Sequence, residues 1–213
     1  MGDTGKKTGV WLEEFTTPYY ALFDNGFKIT LASPKGGQVP FDPSSMNPEA
    51  GSESTKRYET DQKLKDKLSK TVLLSKVNSN NYDAVYYPGG HGLLWDLVRD
   101  KHSISLIEEF FQSGKPIGAV CHGPAVFAFP KGKNGFSIVD GKKVTGFSNT
   151  EESAIQLSGT VPFLLEDKLK ENGGIYAKGD NWKSFVQVDG NLITGQNPGS
   201  SEAVAKALIK AMQ

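Results

Sequence analysis

The 213-residue chain contains a single cysteine. One thiol excludes an internal disulfide and any multi-cysteine zinc centre, so Cys121 is either a buried apolar residue or a working thiol. Composition by itself favours packing. Net charge is also lacking: 24 basic residues balance 24 acidic ones, leaving no electrostatic footprint for nucleic acid or an anionic membrane surface. No apolar run is long enough to cross a bilayer, and the opening MGDTGKK has no apolar signal core. The expectation is a cytosolic protein with small-molecule partners. Linker-like Ser/Pro/Gly tracts are missing too, so residues 1–213 read as one domain.

What the chain does have is an alternation of short apolar runs with longer amphipathic ones. That pattern gives an α/β architecture, a doubly wound, mostly parallel sheet sandwiched by helices, of flavodoxin-like type. Helices are predicted over 10–23, 93–97, 104–111 and 200–212, with another carrying Leu64, Leu68 and Leu73. Strands are predicted over 27–32, 84–87, 117–120, 143–147 and 184–188. Asp189-Gly190 turns the last of these into a hairpin with 191–194, and 38–58 reads as a long excursion. In such a sheet ligand chemistry sits at the carboxyl ends of strands. Cys121 and Gly89-Gly90 both fall at such ends.

Ala119-Val120-Cys121-His122-Gly123-Pro124-Ala125 sets the thiol between a strand and a predicted helix, with small neighbours that permit a tight turn. A helix start under the sulfur would favour thiolate, and the next backbone N–H would point at an oxyanion. A lone cysteine in an apolar strand usually just packs, but the His-Gly-Pro that follows favours a nucleophile.

AVCHGPA together with YYPGGHGLLWDL resembles the ThiJ/PfpI superfamily, also called class I glutamine amidotransferase-like. KTGVWLEEFTTPY, SPKGGQVPFDPSS, VTGFSNTEESA, VPFLLEDKL and LITGQNPGSS extend the resemblance over nearly the whole chain. They point to the branch with glyoxalase III and chaperone-type members. The resemblance implies Cys121 as nucleophile, His122 as its acid/base partner, Glu14 approaching the sulfur and Glu152 orienting the histidine. Glu13 and Glu151 lie one residue out of register. Gly90 and the His122 N–H would form an oxyanion hole, Gly89 and His91 would bind substrate, and His102 receives no role. No metal or other cofactor is expected. No histidine follows His122, so the late histidine that glutamine hydrolysis needs is missing. The implied reaction converts methylglyoxal-type 2-oxoaldehydes to 2-hydroxy acids. Alternatives are a protein deglycase or hydrolase using the same dyad, or a holding chaperone exposing Trp11, Phe15, Tyr19 and Tyr20, residues whose helical spacing suits a core better. The resemblance also implies a homodimer, and a central first strand that this chain does not supply, which leaves a gap in the sheet or a slot for another segment or subunit.

Overall fold

The computed structural model describes residues 1–47 and 51–213. Helix α1, Leu12–Asp24, buries Leu12, Thr16, Tyr19 and Tyr20 on one side and Glu14 and Pro18 on the other, and ends at Asn25-Gly26, where Gly26 takes a φ of 82°. Tyr19 and Tyr20 are therefore core residues, and Trp11 and Phe15 are half-buried. Of the predicted 27–32 strand only Ala32 enters a ladder, as part of β1, Ala32–Ser33. The expected excursion carries a 3₁₀ turn, Pro43–Met46, and helix α2, Glu53–Thr60; its residues 48–50 lie outside the described residues. Helix α3, Gln62–Leu68, is capped by the Asp61 carboxylate, which accepts from Leu64 N. Leu73 belongs instead to β2, Val72–Leu73, because the chain turns at Ser69 and Val72 N donates to Leu31 O at 2.8 Å.

Strand β3, Val85–Tyr87, is followed not by the predicted 93–97 helix but by 3₁₀ turns at His91–Leu94 and Leu97–Arg99. The Asp96 side chain captures Leu97 N and so divides the segment. Helix α4, Lys101–Gln112, starts on the Asp100 carboxylate, which accepts from His102 N and Ser103 N, and buries Leu106, Ile107 and Phe110. Strand β4, Ile117–Val120, is buried throughout, the continuous apolar run of a strand covered on both faces. The elements beyond it are β5, Lys143–Val144; α5, Asn149–Ala154; α6, Leu165–Glu171; β6, Ile175–Tyr176; β7, Val186–Asp189; β8, Leu192–Gly195; and α7, Ser201–Ala211. Strand β5 is shorter than the predicted 143–147, since Thr145 N turns to the Thr194 hydroxyl and Phe147 N to the Cys121 carbonyl.

The main sheet runs β3-β4-β8-β7, parallel except for the β7–β8 hairpin, which closes at Gly190 with a φ of 60°. β1–β2 and β5–β6 are separate parallel pairs. Among the described residues β3 lies at one end of the main sheet, and β1–β2 is a separate pair. The apolar interior divides accordingly. Tyr19, Tyr20, Leu64 and Leu68 make one cluster, the β4 side chains with Ile107, Phe110, Phe127 and Leu208 belong to the other, and α1 spans both through Leu22. Among the described residues no helix is long and apolar enough to cross a membrane.

Candidate functional site

Strand β4 delivers its last residue into a turn that no ordinary side chain prefers. Cys121 sits at a φ of 58°, a left-handed conformation that costs a non-glycine residue on the order of 1 kcal/mol or more. Two backbone hydrogen bonds hold it there: Cys121 N donates to Gly195 O at 2.9 Å, and Cys121 O accepts from Phe147 N at 2.8 Å. The turn feeds the predicted helix, which is a 3₁₀ helix over Gly123–Ala128. Pro124, which lacks an N–H, stands at its start. The aligned dipole of a long helix is therefore not what acts on this sulfur.

His122 turns its ring back so that Nδ1 lies 3.4 Å from Cys121 Sγ, while Nε2 lies 2.7 Å from Glu152 Oε2. The other Glu152 oxygen is 2.9 Å from His91 Nε2. His91, predicted as a substrate contact, is thus a buried partner of the carboxylate. The two imidazoles stand 4.0 Å apart, and Phe147 covers the His122 ring at 4.4 Å. Burial pushes the Glu152 carboxyl up, but the hydrogen bonds from His122 and His91 outweigh it and hold it at about 2. Burial, aided by the neighbouring His91, lowers His122 to about 4 against the pull of Glu152. At neutral pH the ring is therefore uncharged. With Nε2–H donating to Glu152, the Nδ1 lone pair faces the thiol.

Glu14 approaches from the first turn of α1. The turn is fixed where Trp11 N donates to Gly89 O at 3.1 Å and the Tyr86 hydroxyl donates to Glu14 O at 2.8 Å. The Glu14 carboxyl is fully buried, and among the described residues neither oxygen meets a hydrogen-bond partner at normal geometry. The Cys121 thiol and the Gly89 backbone N–H lie beside it. Burial raises this carboxyl to about 8. Burial also pushes the Cys121 thiol up, and the Glu14 charge pushes it further. The pair therefore holds its protons at neutral pH until one is taken away.

The glycines divide their tasks. A Cβ on Gly89 would overlap Glu14 Oε2 and Cys121 Cβ, so Gly89 makes room for that pair. Gly90, at a φ of 100°, lies against the backbone of Gly9, Val10 and Trp11. It fixes the loop over the start of α1.

The register of both glutamates is settled by packing. Glu14 faces Cys121, whereas Glu13 is only half-buried beside Ser52. Glu152 faces His122 and His91; Glu151 points elsewhere into the interior. Sequence reasoning gave Glu151 no part, yet it organises the whole corner. Its Oε2 accepts from Ser148 N, Ser148 Oγ and Gln196 Nε2, and its Oε1 from Trp182 N and Asn197 Nδ2, at 2.8–3.1 Å. Together with Ser148 it forms a capping box that starts α5 and so aims Glu152. The Ser-x-x-Glu spacing was the available signal. Glu151→Ala leaves these buried donors without an acceptor and is expected to destabilise the fold by about 3–5 kcal/mol, read from the urea midpoint. A shift under about 1 kcal/mol would refute that role. Phe147 and Trp182 carried no sequence signal; Trp182 is half-exposed, with a φ of 64°, and packs 5.7 Å from Phe147.

The chain is 29% identical over 217 residues to "Glutathione-independent glyoxalase HSP31" of Saccharomyces cerevisiae, covering 98% of this chain and 91% of that protein. It is 31% identical to "Glutathione-independent glyoxalase hsp3101" of Schizosaccharomyces pombe, covering 98% and 89%. Among solved structures, Rapid Encystment Protein 24 KDa of Francisella tularensis superposes with a TM-score of 0.95 at 38% identity, covering 100% of this chain and 94% of that one. Glyoxalase III of Candida albicans superposes with a TM-score of 0.89 at 28% identity, covering 99% and 91%. A family model described as the DJ-1/PfpI family matches residues 7–211, and the chain is a member of that family.

Proposed function

We propose that this protein is a glutathione-independent glyoxalase that converts methylglyoxal-type 2-oxoaldehydes to 2-hydroxy acids at Cys121. The observation that carries this reading is the buried line Cys121 Sγ, His122 Nδ1, His122 Nε2, Glu152 Oε2, with the Glu14 carboxyl beside the sulfur. Similarity to proteins named as glutathione-independent glyoxalases supports it. So does access, because Cys121 is only 4% exposed and admits a small carbonyl compound more readily than a bulky one.

His122 Nδ1 takes the thiol proton as Sγ adds to the aldehyde carbon, forming the carbon–sulfur bond of a hemithioacetal. Glu152 keeps Nε2–H as the donor and stabilises the imidazolium that appears. Backbone N–H groups of Gly90 and His122 donate to the developing oxyanion. His122 passes the thiol proton to the oxyanion and, neutral again, takes the proton from the former aldehyde carbon while the Glu14 acid protonates the neighbouring carbonyl oxygen, giving an enediol; the imidazolium proton then adds to the neighbouring carbon as the hydroxyl on the former aldehyde carbon returns a proton to Glu14. The product is a lactoyl thioester, in which one carbon has been oxidised and the other reduced. Water cleaves the carbon–sulfur bond, releasing lactate and restoring the thiol. A cytosolic homodimer handling small aldehydes completes this reading.

The test is lactate formation from methylglyoxal by the dialysed protein with no glutathione added. Multiple turnovers per Cys121 are expected. A folded protein that forms no lactate above the uncatalysed background would overturn the proposal and leave the deglycase, hydrolase and chaperone readings.

A further inference from the structure

The same corner holds a second constellation that the proton transfers above do not need in full. One ring nitrogen each of His91 and His122 and a Glu152 oxygen lie within 4.8 Å of one another, all on buried side chains. Each imidazole presents the same ring atom to the same carboxylate, at 2.9 and 2.7 Å. The rings are held 4.0 Å apart, with a tilt of 43°, and Phe147 backs one of them. A general base needs one oriented carboxylate. It does not need a second histidine aimed at the far oxygen.

We infer that His91, His122 and Glu152 form a three-ligand site for a borderline divalent transition cation of the zinc class, whose binding switches off the Cys121–His122 pair. Two imidazole nitrogens and a carboxylate oxygen are the ligand set that suits zinc, nickel or copper rather than magnesium or calcium. Zinc takes such ligands at about 2.0–2.2 Å, so the present nitrogen–oxygen separations need to open by only a few tenths of an ångström about a central ion. Three protein ligands leave a fourth position free, as in open zinc sites.

Neutral imidazole carries one proton, and a cation on His122 Nε2 requires it on Nδ1. Nδ1 would then donate towards Cys121 Sγ, 3.4 Å away, instead of accepting from it. The base is lost while the thiol stays in place. The inhibitory consequence rests on the glyoxalase reading; the binding site does not.

Cys121 is the obvious rival ligand, so the experiment must separate nitrogen and oxygen ligation from sulfur ligation. The whole chain is titrated with zinc chloride against a chromophoric chelator, and separately with cobalt(II) as a spectroscopic probe. One zinc per chain is expected, bound at least tenfold more weakly by His91→Gln and by Glu152→Gln. Cys121→Ser should change the affinity less than threefold, and His102→Gln, which alters the remaining histidine at the start of α4, should not change it. Cobalt bound to the parent should show ligand-field bands with no sulfur-to-cobalt charge-transfer band, a reading that requires no variant to fold. No zinc bound by the folded parent at micromolar concentration would overturn the inference. Binding that survives in His91→Gln but disappears in Cys121→Ser, or a sulfur charge-transfer band in the parent, would overturn it as well.

Discussion

Replacing Cys121 with serine is expected to lower lactate formation from methylglyoxal by roughly 10⁴-fold or more while the protein stays folded. Serine fits the same space and keeps the backbone bonds to Gly195 and Phe147 that hold the left-handed turn. It changes the nucleophile alone. Sulfur forms an anion several pKa units more easily than a hydroxyl and adds to a carbonyl carbon without help from a metal. His122, lowered to about 4, is a weak base that suffices for a thiol with Glu14 alongside but not for an alcohol. Turnover and thermal melting measured on the same preparation separate chemistry from folding. A folded Cys121→Ser protein retaining activity within tenfold of the parent would remove Cys121 from the mechanism. Protection of a heat-denatured client that persists in this variant would then point to surface-based holding.

Glu14→Gln should move activity and stability in opposite directions. The buried acid is raised to about 8 from an ordinary 4.5, so the folded state holds a proton that the unfolded chain releases. With the folded pKa above the unfolded one, the protein is most stable below pH 4.5 with respect to this group, and it loses stability as pH rises from there to about 8. At pH 7 the accumulated cost is about 3 kcal/mol, at about 1.4 kcal/mol per pKa unit. Glutamine carries no such cost, so the variant should melt higher than the parent, and the gap should widen between pH 5 and pH 8. Turnover should fall by about 10²-fold or more, because an amide cannot pass a proton to or from the reacting carbon. A Glu14→Gln protein that is less stable than the parent at pH 8, or equally active, would show that the carboxyl is neither a strained acid nor a proton carrier.

These two residues also show how far the sequence reached. Cys121 was legible from its immediate surroundings, since a thiol between an apolar strand and His-Gly-Pro is a local pattern, and AVCHGPA fixed its kinship. The α/β alternation was legible for the same reason: hydrophobic periodicity is written residue by residue. β4, α4, α7 and the β7–β8 hairpin stand where the periodicity put them. Failures fell where a side chain competes with the backbone ladder. Asp96 cut the predicted 93–97 helix into 3₁₀ turns, and Thr194 drew Thr145 out of the strand after β5. No periodicity reports such captures.

The sequence by itself therefore determined the fold class, the family and the identity of the thiol, because each depends on neighbours along the chain. Tertiary structure alone decided which acid serves which partner. Glu151 and Glu152 are adjacent in sequence, yet one gathers donors from Ser148, Trp182, Gln196 and Asn197 while the other faces both histidines. His91, expected to bind substrate, is buried against Glu152, more than sixty positions away. The protonation of Glu14 belongs to the same class, since its cause is desolvation by an interior that exists only after α1 docks beside β3 and β4.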